Sequence, residues 1–479
     1  YTNYTNVMYG TLSAKHDLDF ITNGLSAQLF FSFENDNYKT TQRLQSFDSY
    51  WYRGENDPEP YKKIGIASRL ATSGGSSIVR YNYLDLRLNY NRTFGVHGIT
   101  GQILGNRTLR VIDNDLPYTY QGVSGHFTYN YKLKYFAEVN VGYNGSENFP
   151  KGKRYGMFPA FSAAWVVSEE NFLKQAGWLD FMKLRMSHGI AGNDKIGGGR
   201  WQFISDFAPG GGFRFGTSPN DAPGYSENIV GNSFVTWERA AKSNAGIDLS
   251  FFRQGEVQLS FDVFREKRTS ILTKPGTVPD FVGITGLAAR NTGVMQNRGF
   301  EGELRLNKQF GQVKVFANIQ LTYARNKILE NDEPAPAFPY QDLKGYEYGY
   351  ALGYRAIGFF KDAADIAKSP AQNFSKVIPG DIKYEDVNND GVINAFDRVP
   401  IQLQNVPRYV GGLSMGASYK GFDISLLLNG ATGGSGSVVM YAGSLLQLQR
   451  WTPELGDNAR VPVAHASGNN SPLSDLLVQ

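Results

Sequence analysis

Apolar and polar residues alternate along most of this chain. From Val313 onward, Val313, Val315, Ala317, Ile319, Leu321 and Tyr323 fall on one side of an extended backbone. Lys314, Phe316, Asn318, Gln320, Thr322 and Ala324 fall on the other. Period two is the signature of a β-strand, whose successive side chains point to opposite faces. Val257, Leu259, Phe261 and Val263 alternate in the same way with Glu256, Gln258, Ser260 and Asp262. Leu133, Tyr135, Ala137, Val139 and Val141 oppose Lys134, Phe136, Glu138 and Asn140, and similar runs cover Leu25–Phe33, Leu84–Tyr90, Ala245–Phe251 and Phe422–Leu428. About fourteen such segments recur, most of them roughly 9–13 residues long, against about 5–6 for strands of globular proteins. A strand that crosses a bilayer needs about 9–11 residues.

The connections sharpen this picture. Very short turns are predicted near Thr22-Asn-Gly24, Phe94-Gly95, Tyr129–Lys132, Arg253-Gln-Gly255, Phe310-Gly311 and Lys420-Gly421. Long connections cover 35–80, 109–118, 144–155, 191–235, 266–298 and 326–408. The two kinds alternate, 168–180 being the one longer connection on the short-turn side. Tyr81, Tyr83, Tyr90, Tyr129, Tyr131, Tyr143, Tyr323 and Tyr419 sit at strand ends, where aromatic girdles meet the membrane interfaces. The expected fold is all-β: a transmembrane antiparallel up-and-down β-barrel with short periplasmic turns and long extracellular loops. A large sandwich with one wet face would alternate identically strand by strand, but it has no reason to keep its long loops at one end. A propeller would show blade repeats, and none occurs.

Composition narrows the function classes. Aromatic residues at 14% and charged residues at 19% argue against a disordered chain. No run approaches the length of a transmembrane helix. With Cys 0 there are no disulfides, thiolate metal sites or cysteine nucleophiles, which suits an extracytoplasmic compartment. Basic and acidic residues, 48 against 44, are too balanced to imply nucleic acid. The strand-like opening at Tyr1 and the close at Ser474-Asp-Leu-Leu-Val-Gln479 lead us to expect that 1–479 is a fragment of one barrel domain within a larger protein.

Several stretches then become recognisable in order. They are Arg154-Tyr-Gly-Met-Phe-Pro-Ala-Phe-Ser162, Ala164-Trp-Val-Val-Ser-Glu-Glu-Asn-Phe172, Met182-Lys-Leu-Arg-Met-Ser-His-Gly189 and Gly192-Asn193. Trp237-Glu238, Asn244-Ala-Gly-Ile-Asp-Leu249 and Asn291-Thr-Gly-Val-Met-Gln-Asn-Arg-Gly-Phe-Glu301 follow. Last come Gly349–Gly358, Pro379-Gly-Asp-Ile-Lys-Tyr384, Asp386-Val-Asn-Asn-Asp-Gly391 and Trp451-Thr-Pro-Glu454. Each is degenerate; together they make the chain resemble the C-terminal portion of SusC/RagA-like TonB-dependent transporters of Bacteroidetes outer membranes. The resemblance implies a 22-stranded barrel of which this chain holds about fourteen strands, an N-terminal plug domain absent here, and a SusD-like lipoprotein lid. It implies import of a sizeable nutrient, an oligosaccharide or oligopeptide, energised by the TonB complex through the N-terminal part. It also implies a place in the outer-membrane lipid and no enzymatic activity. The alternative is a calcium-stiffened extracellular β-rich binding or adhesion protein without a transport role.

Local motifs add two candidate sites. Asp386, Asn388, Asp390, Val392, Asn394 and Asp397 match the oxygen-donor spacing of an EF-hand-type loop over 386–397, with Gly391 at the sharp turn and Asp in place of the final Glu. These are candidate calcium ligands, which would stiffen the 326–408 excursion; an Asn/Asp/Gly turn needs no metal and reads the same way. The same excursion is rich in aromatics. Tyr340, Tyr346, Tyr348, Tyr350 and Tyr354, with Trp201 from another loop, are candidate substrate-stacking residues. Phe338, Phe359, Phe360, Phe203, Phe213 and Phe215 lie beside them, and packing within the loops explains each ring equally well. No catalytic residues are expected. His16, His97, His126, His188 and His465 have no metal-ligand spacing, Gly433-Gly-Ser-Gly-Ser437 breaks the nucleophile-elbow pattern, and Gly197-Gly-Gly199 and Gly210-Gly-Gly212 precede no helix. Lys134, Glu138, Lys183, Arg185, Glu301, Glu303, Arg305 and Lys314 are expected on inward faces, lining a wet lumen.

Overall fold

The computed structural model describes residues 2–55, 58–174, 176–195, 199–213, 216, 222–252, 255–284, 286–401, 406–435, 449–459 and 462–463. Gly197, Phe215, Arg253-Gln254, Gly436-Ser437, His465 and 474–479 lie outside the described residues. The chain divides into two compact units, Tyr1–Ala163 and Ala164–Gln479.

The first unit is built on β1 (Thr2–Asp17), β2 (Leu25–Leu44), β3 (Ala71–Phe94), β4 (His97–Ile112), β5 (Tyr118–Tyr131), β6 (Tyr135–Ser146) and β7 (Tyr155–Val166). Neighbours in sequence are neighbours in the sheet. Pairing from β1 through β6 is antiparallel throughout.

The second unit repeats the plan with β8 (Leu179–Asn193), β9 (Glu238–Phe251), β10 (Val257–Thr273), β11 (Arg290–Phe310), β12 (Val313–Glu330), β13 (Tyr409–Tyr419) and β14 (Phe422–Thr432). All its consecutive pairs are antiparallel. Among the described residues fourteen long strands therefore carry the fold, as the alternation predicts. The one α-helix among the described residues is the short Ala363–Lys368, capped by Asp362, and no helix is long and apolar enough to cross a membrane.

Strand lengths correct the expected loops. The predicted long loop at 35–80 is mostly strand: β2 and β3 stay paired from Leu25↔Tyr90 to Leu44↔Ala71. Only 45–70 connects them, and it holds a small hairpin of Ser49–Tyr52 with Tyr61–Gly65. Above the apolar zone both faces of β2 are polar, as in Asn35-Asp-Asn-Tyr-Lys-Thr-Thr41, so period two disappears from the sequence while the ladder still satisfies every backbone group. β10 and β11 likewise run on to Thr273 and back to Arg290, through part of the expected 266–298 loop. The 191–235 connection contains another hairpin, Asp206–Phe213 with Ala222–Ile229. At the other end, Lys134 lies in the tight turn and not on an inward strand face, because Lys132 and Leu133 adopt φ of 52° and 54°.

The strands have no conventional core. The most deeply buried apolar side chains, Phe149, Val235, Phe360 and Ile393, all belong to the long connections. The long strands instead carry exposed Leu, Ile and Val in rows.

Candidate functional site

Register sorts these rows into two faces. In the second unit one row joins Leu304, Ile319, Leu413 and Leu428, and another joins Phe251 with Val257 and Leu306. The opposite face carries Lys183, Arg185, Asp248, Ser260, Asp262, Glu301, Glu303, Arg305, Asn318 and Gln320. Ile319, Leu321, Leu426 and Leu428 are 42%, 44%, 47% and 51% exposed. Burying one such side chain is worth about 1.5–3 kcal/mol, so leaving these rows in water would forfeit more than a domain's net stability of about 5–15 kcal/mol. Lipid removes that cost.

Aromatic rings bound the apolar zone at both ends. Near the long connections, Phe261, Phe300, Tyr323 and Tyr409 form a continuous row across four strands, with ring centroids 5.9, 5.5 and 4.7 Å apart. Near the short turns lie Trp178 stacked on Phe251 at 5.9 Å, and the exposed Phe310, Tyr419 and Phe422. Phe300 and Phe310 on β11, and Tyr409 and Tyr419 on β13, bracket the same number of residues. At about 3.3 Å per residue that is roughly 33 Å along the strand. Tilted by about 40°, it spans the ~25 Å apolar band of an outer-membrane barrel.

On the polar face charges occur in pairs. The Arg185 guanidinium donates to Asp248 at 3.0 and 3.1 Å and to both oxygens of Asp262 at 2.6 Å, and Ser260 donates to Asp248 at 2.8 Å. Arg305 pairs with Glu303 at 2.8 Å and Arg268 with Glu266 at 2.9 Å. In the first unit Asp85 is fully buried against Arg87 at 2.7 Å. Such pairing suits a wet lumen lining and supplies no nucleophile or acid–base dyad.

Beyond the aromatic row, residues 331–401 fold into a small module. Three two-stranded ribbons, Leu352–Gly353 with Val399–Pro400, Ala356–Phe359 with Ile382–Tyr384, and Ala371–Gln372 with Val392–Ile393, surround the buried Phe360 and Ile393. The buried Glu347 carboxylate fixes the module to the strand ends, accepting from Arg325 on β12 at 2.7 Å and from Arg408 at 2.6 Å. Sequence reasoning passed over this clamp, because nothing local relates Glu347 to residues so far away on either side. The segment after β14 docks here too. Val463 N–H donates to the Gly380 carbonyl at 3.0 Å, and a Cβ at Gly380 would strike the Trp451 ring. The Pro379-Gly-Asp and Trp451-Thr-Pro stretches thus meet in space.

The candidate stacking residues pack in separate ring contacts. Tyr340 donates its hydroxyl to the Phe396 carbonyl at 2.6 Å and stacks on Phe338. Tyr346 stacks on Tyr350 at 4.8 Å, and burial pushes the Tyr350 phenol up to about 12. Tyr354 packs against Phe374 and Tyr384, with the Arg398 guanidinium over its ring. Trp201, in a different loop, is covered by Arg200 at 3.9 Å. Of the six, Tyr348 presents the most open ring, 68% exposed.

The EF-hand-like loop closes on its own hydrogen bonds. Asp386 accepts from Gly391 N–H at 2.8 Å, and Asp390 accepts from Val392 N–H at 2.9 Å and from Asn388 and Asn394 side chains at 2.9 and 3.2 Å. The Val392 N–H bond holds the Asp390 carboxyl below the usual range. Asp397, fully buried, accepts from the backbones of Val387 and Asn394 at 2.9 and 2.8 Å. Asn394 caps the following turn through Phe396 N–H at 2.8 Å. Gly391 and Asn389 take φ of 86° and 57°, as the sharp turn requires. Among the described residues no three His, Asp or Glu side chains group closely enough to hold a metal by themselves; the remaining oxygen donors of this motif are Asn388, Asn394 and the Val392 carbonyl.

The profile of the family described as "TonB dependent receptor-like, beta-barrel" matches residues 1–462. The chain belongs to that family. TonB-dependent receptor P39 of Formosa agariphila is 27% identical over 452 residues, covering 85% of this chain and 41% of its own length. TonB-dependent receptor SusC of Bacteroides thetaiotaomicron is 25% identical over 331 residues, covering 64% of this chain and 30% of its own. The chain thus spans less than half the length of these curated relatives. A solved RagAB peptide transporter shares the fold with a TM-score of 0.66 at 18% identity, over 96% of this chain and 52% of that one. As a member of an outer-membrane receptor family the chain is a SusC/RagA-like segment of membrane β-barrel and not an enzyme.

Proposed function

We propose that the full-length protein imports a sizeable nutrient, an oligopeptide or oligosaccharide, across the outer membrane, using energy delivered by TonB to parts outside this chain. We further propose a SusD-like lipoprotein as the partner covering the extracellular loops. The observation that carries the reading is the family match over nearly the whole chain, joined to apolar rows bounded at both ends by aromatic rings. The name of the RagAB structure, a peptide transporter, supports peptide as one cargo class. The adhesin alternative would bury its apolar rows against a second sheet, whereas Ile319 and Leu428 stay exposed, and family membership speaks against it. Deleting the gene should abolish protonophore-sensitive uptake of labelled oligopeptides or oligosaccharides, with a lipoprotein co-purifying at equal stoichiometry from detergent. Unchanged uptake of both cargo classes would refute the transport reading, and a receptor purified alone would refute the partner.

A further inference from the structure

Immediately beyond the outer aromatic row, the lipid-side face changes character in the second unit. Register places Ser243, Arg265, Arg298 and Arg325 abreast on β9 to β12, two residues beyond the row of Ala245, Val263, Phe300 and Tyr323. The next row outward joins Ala241, Lys267, Gln296 and Lys327. All five cations are exposed. On the opposite face of the sheet Arg185 of β8, Arg268 of β10 and Arg305 of β11 each find a carboxylate. On this face Glu347 of the external module takes Arg325. Arg265 reaches only the Gln296 carbonyl, at 3.4 Å, and among the described residues Arg298, Lys267 and Lys327 have no carboxylate partner. Arg265 and Arg298 are direct cross-strand neighbours. Like charges in that position repel, and an anion between them relieves the repulsion.

The position names the anion. Two residues beyond the aromatic row is about 6.6 Å along the strand, the level at which rings give way to lipid headgroups. We infer that Arg265, Arg298, Lys267 and Lys327 form a binding site for the phosphorylated headgroup of an outer-leaflet lipid, whose acyl chains lie down the apolar rows beneath. Guanidinium forks grip a phosphate bidentately, and the two lysines add charge above it.

The test uses the full-length receptor purified from outer membranes, with bound lipid counted by native mass spectrometry. Monophosphoryl lipid A, its dephosphorylated form, phosphatidylcholine and inorganic phosphate serve as probes. The wild-type receptor should retain monophosphoryl lipid A after detergent exchange. The quadruple variant Arg265→Gln, Arg298→Gln, Lys267→Gln, Lys327→Gln should retain about ten-fold less or lower still. Equal retention by that variant, or equal retention of the dephosphorylated lipid or phosphatidylcholine by wild type, overturns the site. Displacement of the lipid by an equal concentration of inorganic phosphate overturns the lipid as ligand. Should the quadruple variant not fold, Arg298→Lys is expected to retain measurably more lipid than Arg298→Gln, though less than wild type, and identical behaviour of the two variants overturns the proposal.

Discussion

At the scale of single residues, the 386–397 loop shows how spelling and geometry part company. Its donor spacing was legible in the sequence, and so was the turn at Gly391. What the sequence could not show is that Asp397 would turn inward and cap three backbone positions of its own loop, since Val387, Asn388 and Asn394 N–H groups all point at it. Replacing this buried carboxylate by Ala strands those donors, at about 1–3 kcal/mol per unsatisfied group. Asp397→Ala is therefore expected to raise hydrogen exchange throughout the loop, while EDTA leaves the wild-type pattern unchanged. A loop that loosens in EDTA would make a bound cation its organiser. Acid acts on the same module. Lys383 holds the Asp365 carboxyl below its usual range, and the Val392 N–H does the same for Asp390. A carboxylate whose folded pKa is depressed stabilises above its unfolded value, about 3.9, and that stabilisation is lost as pH falls through the lower folded value. Glu333, raised by burial, works in the opposite sense, because its penalty is relieved on protonation. With two groups against one, residues 331–401 should lose hydrogen-exchange protection, measured against the intrinsic rate at each pH, below about pH 4 and not between pH 5 and 8. A protection factor that falls across neutrality would contradict this assignment.

At the scale of the strand, the alternation carried nearly everything needed. The apolar face of β12 was readable from Val313 to Tyr323 because one side meets lipid and the other water, which is the condition for a clean period of two. Past Tyr323 both sides are wet, the contrast vanishes, and strand ends at Glu330, Thr273 and Leu44 could not be read. The face assignment has a sharp consequence at neighbouring positions. Ile319 sits in mid-band beside Leu304 and Leu413, and Asn318 next to it sits on the polar face beside Arg305 and Ser414. Ile319→Lys should destabilise the membrane-inserted protein by about 2–4 kcal/mol, while Asn318→Lys stays near neutral. Urea unfolding from lipid bilayers, followed by heat-modifiable gel mobility, measures both. Equal costs would mean that the two faces are not lipid and lumen.

For the molecule as a whole, the sequence yielded the strand count and the side on which long loops gather, and the resemblance supplied the family. It did not yield the meeting of Trp451 with Gly380 or the Glu347 clamp, both of which join residues that no periodicity connects. Nor did it single out the lipid-side cations, whose significance lies in cross-strand register and not in spacing along the chain. The central claim is that the strands cross a membrane with 331–408 outside and the short turns inside. Because these 479 residues contain no cysteine, single cysteines placed in them report without background from this part of the protein. Tyr348→Cys on the external module and Gln312→Cys in the turn between β11 and β12 are both exposed positions. In intact cells a membrane-impermeant maleimide should label Tyr348→Cys and leave Gln312→Cys unmodified until the outer membrane is broken. Labelling of both before lysis, or of Gln312→Cys alone, would contradict the account.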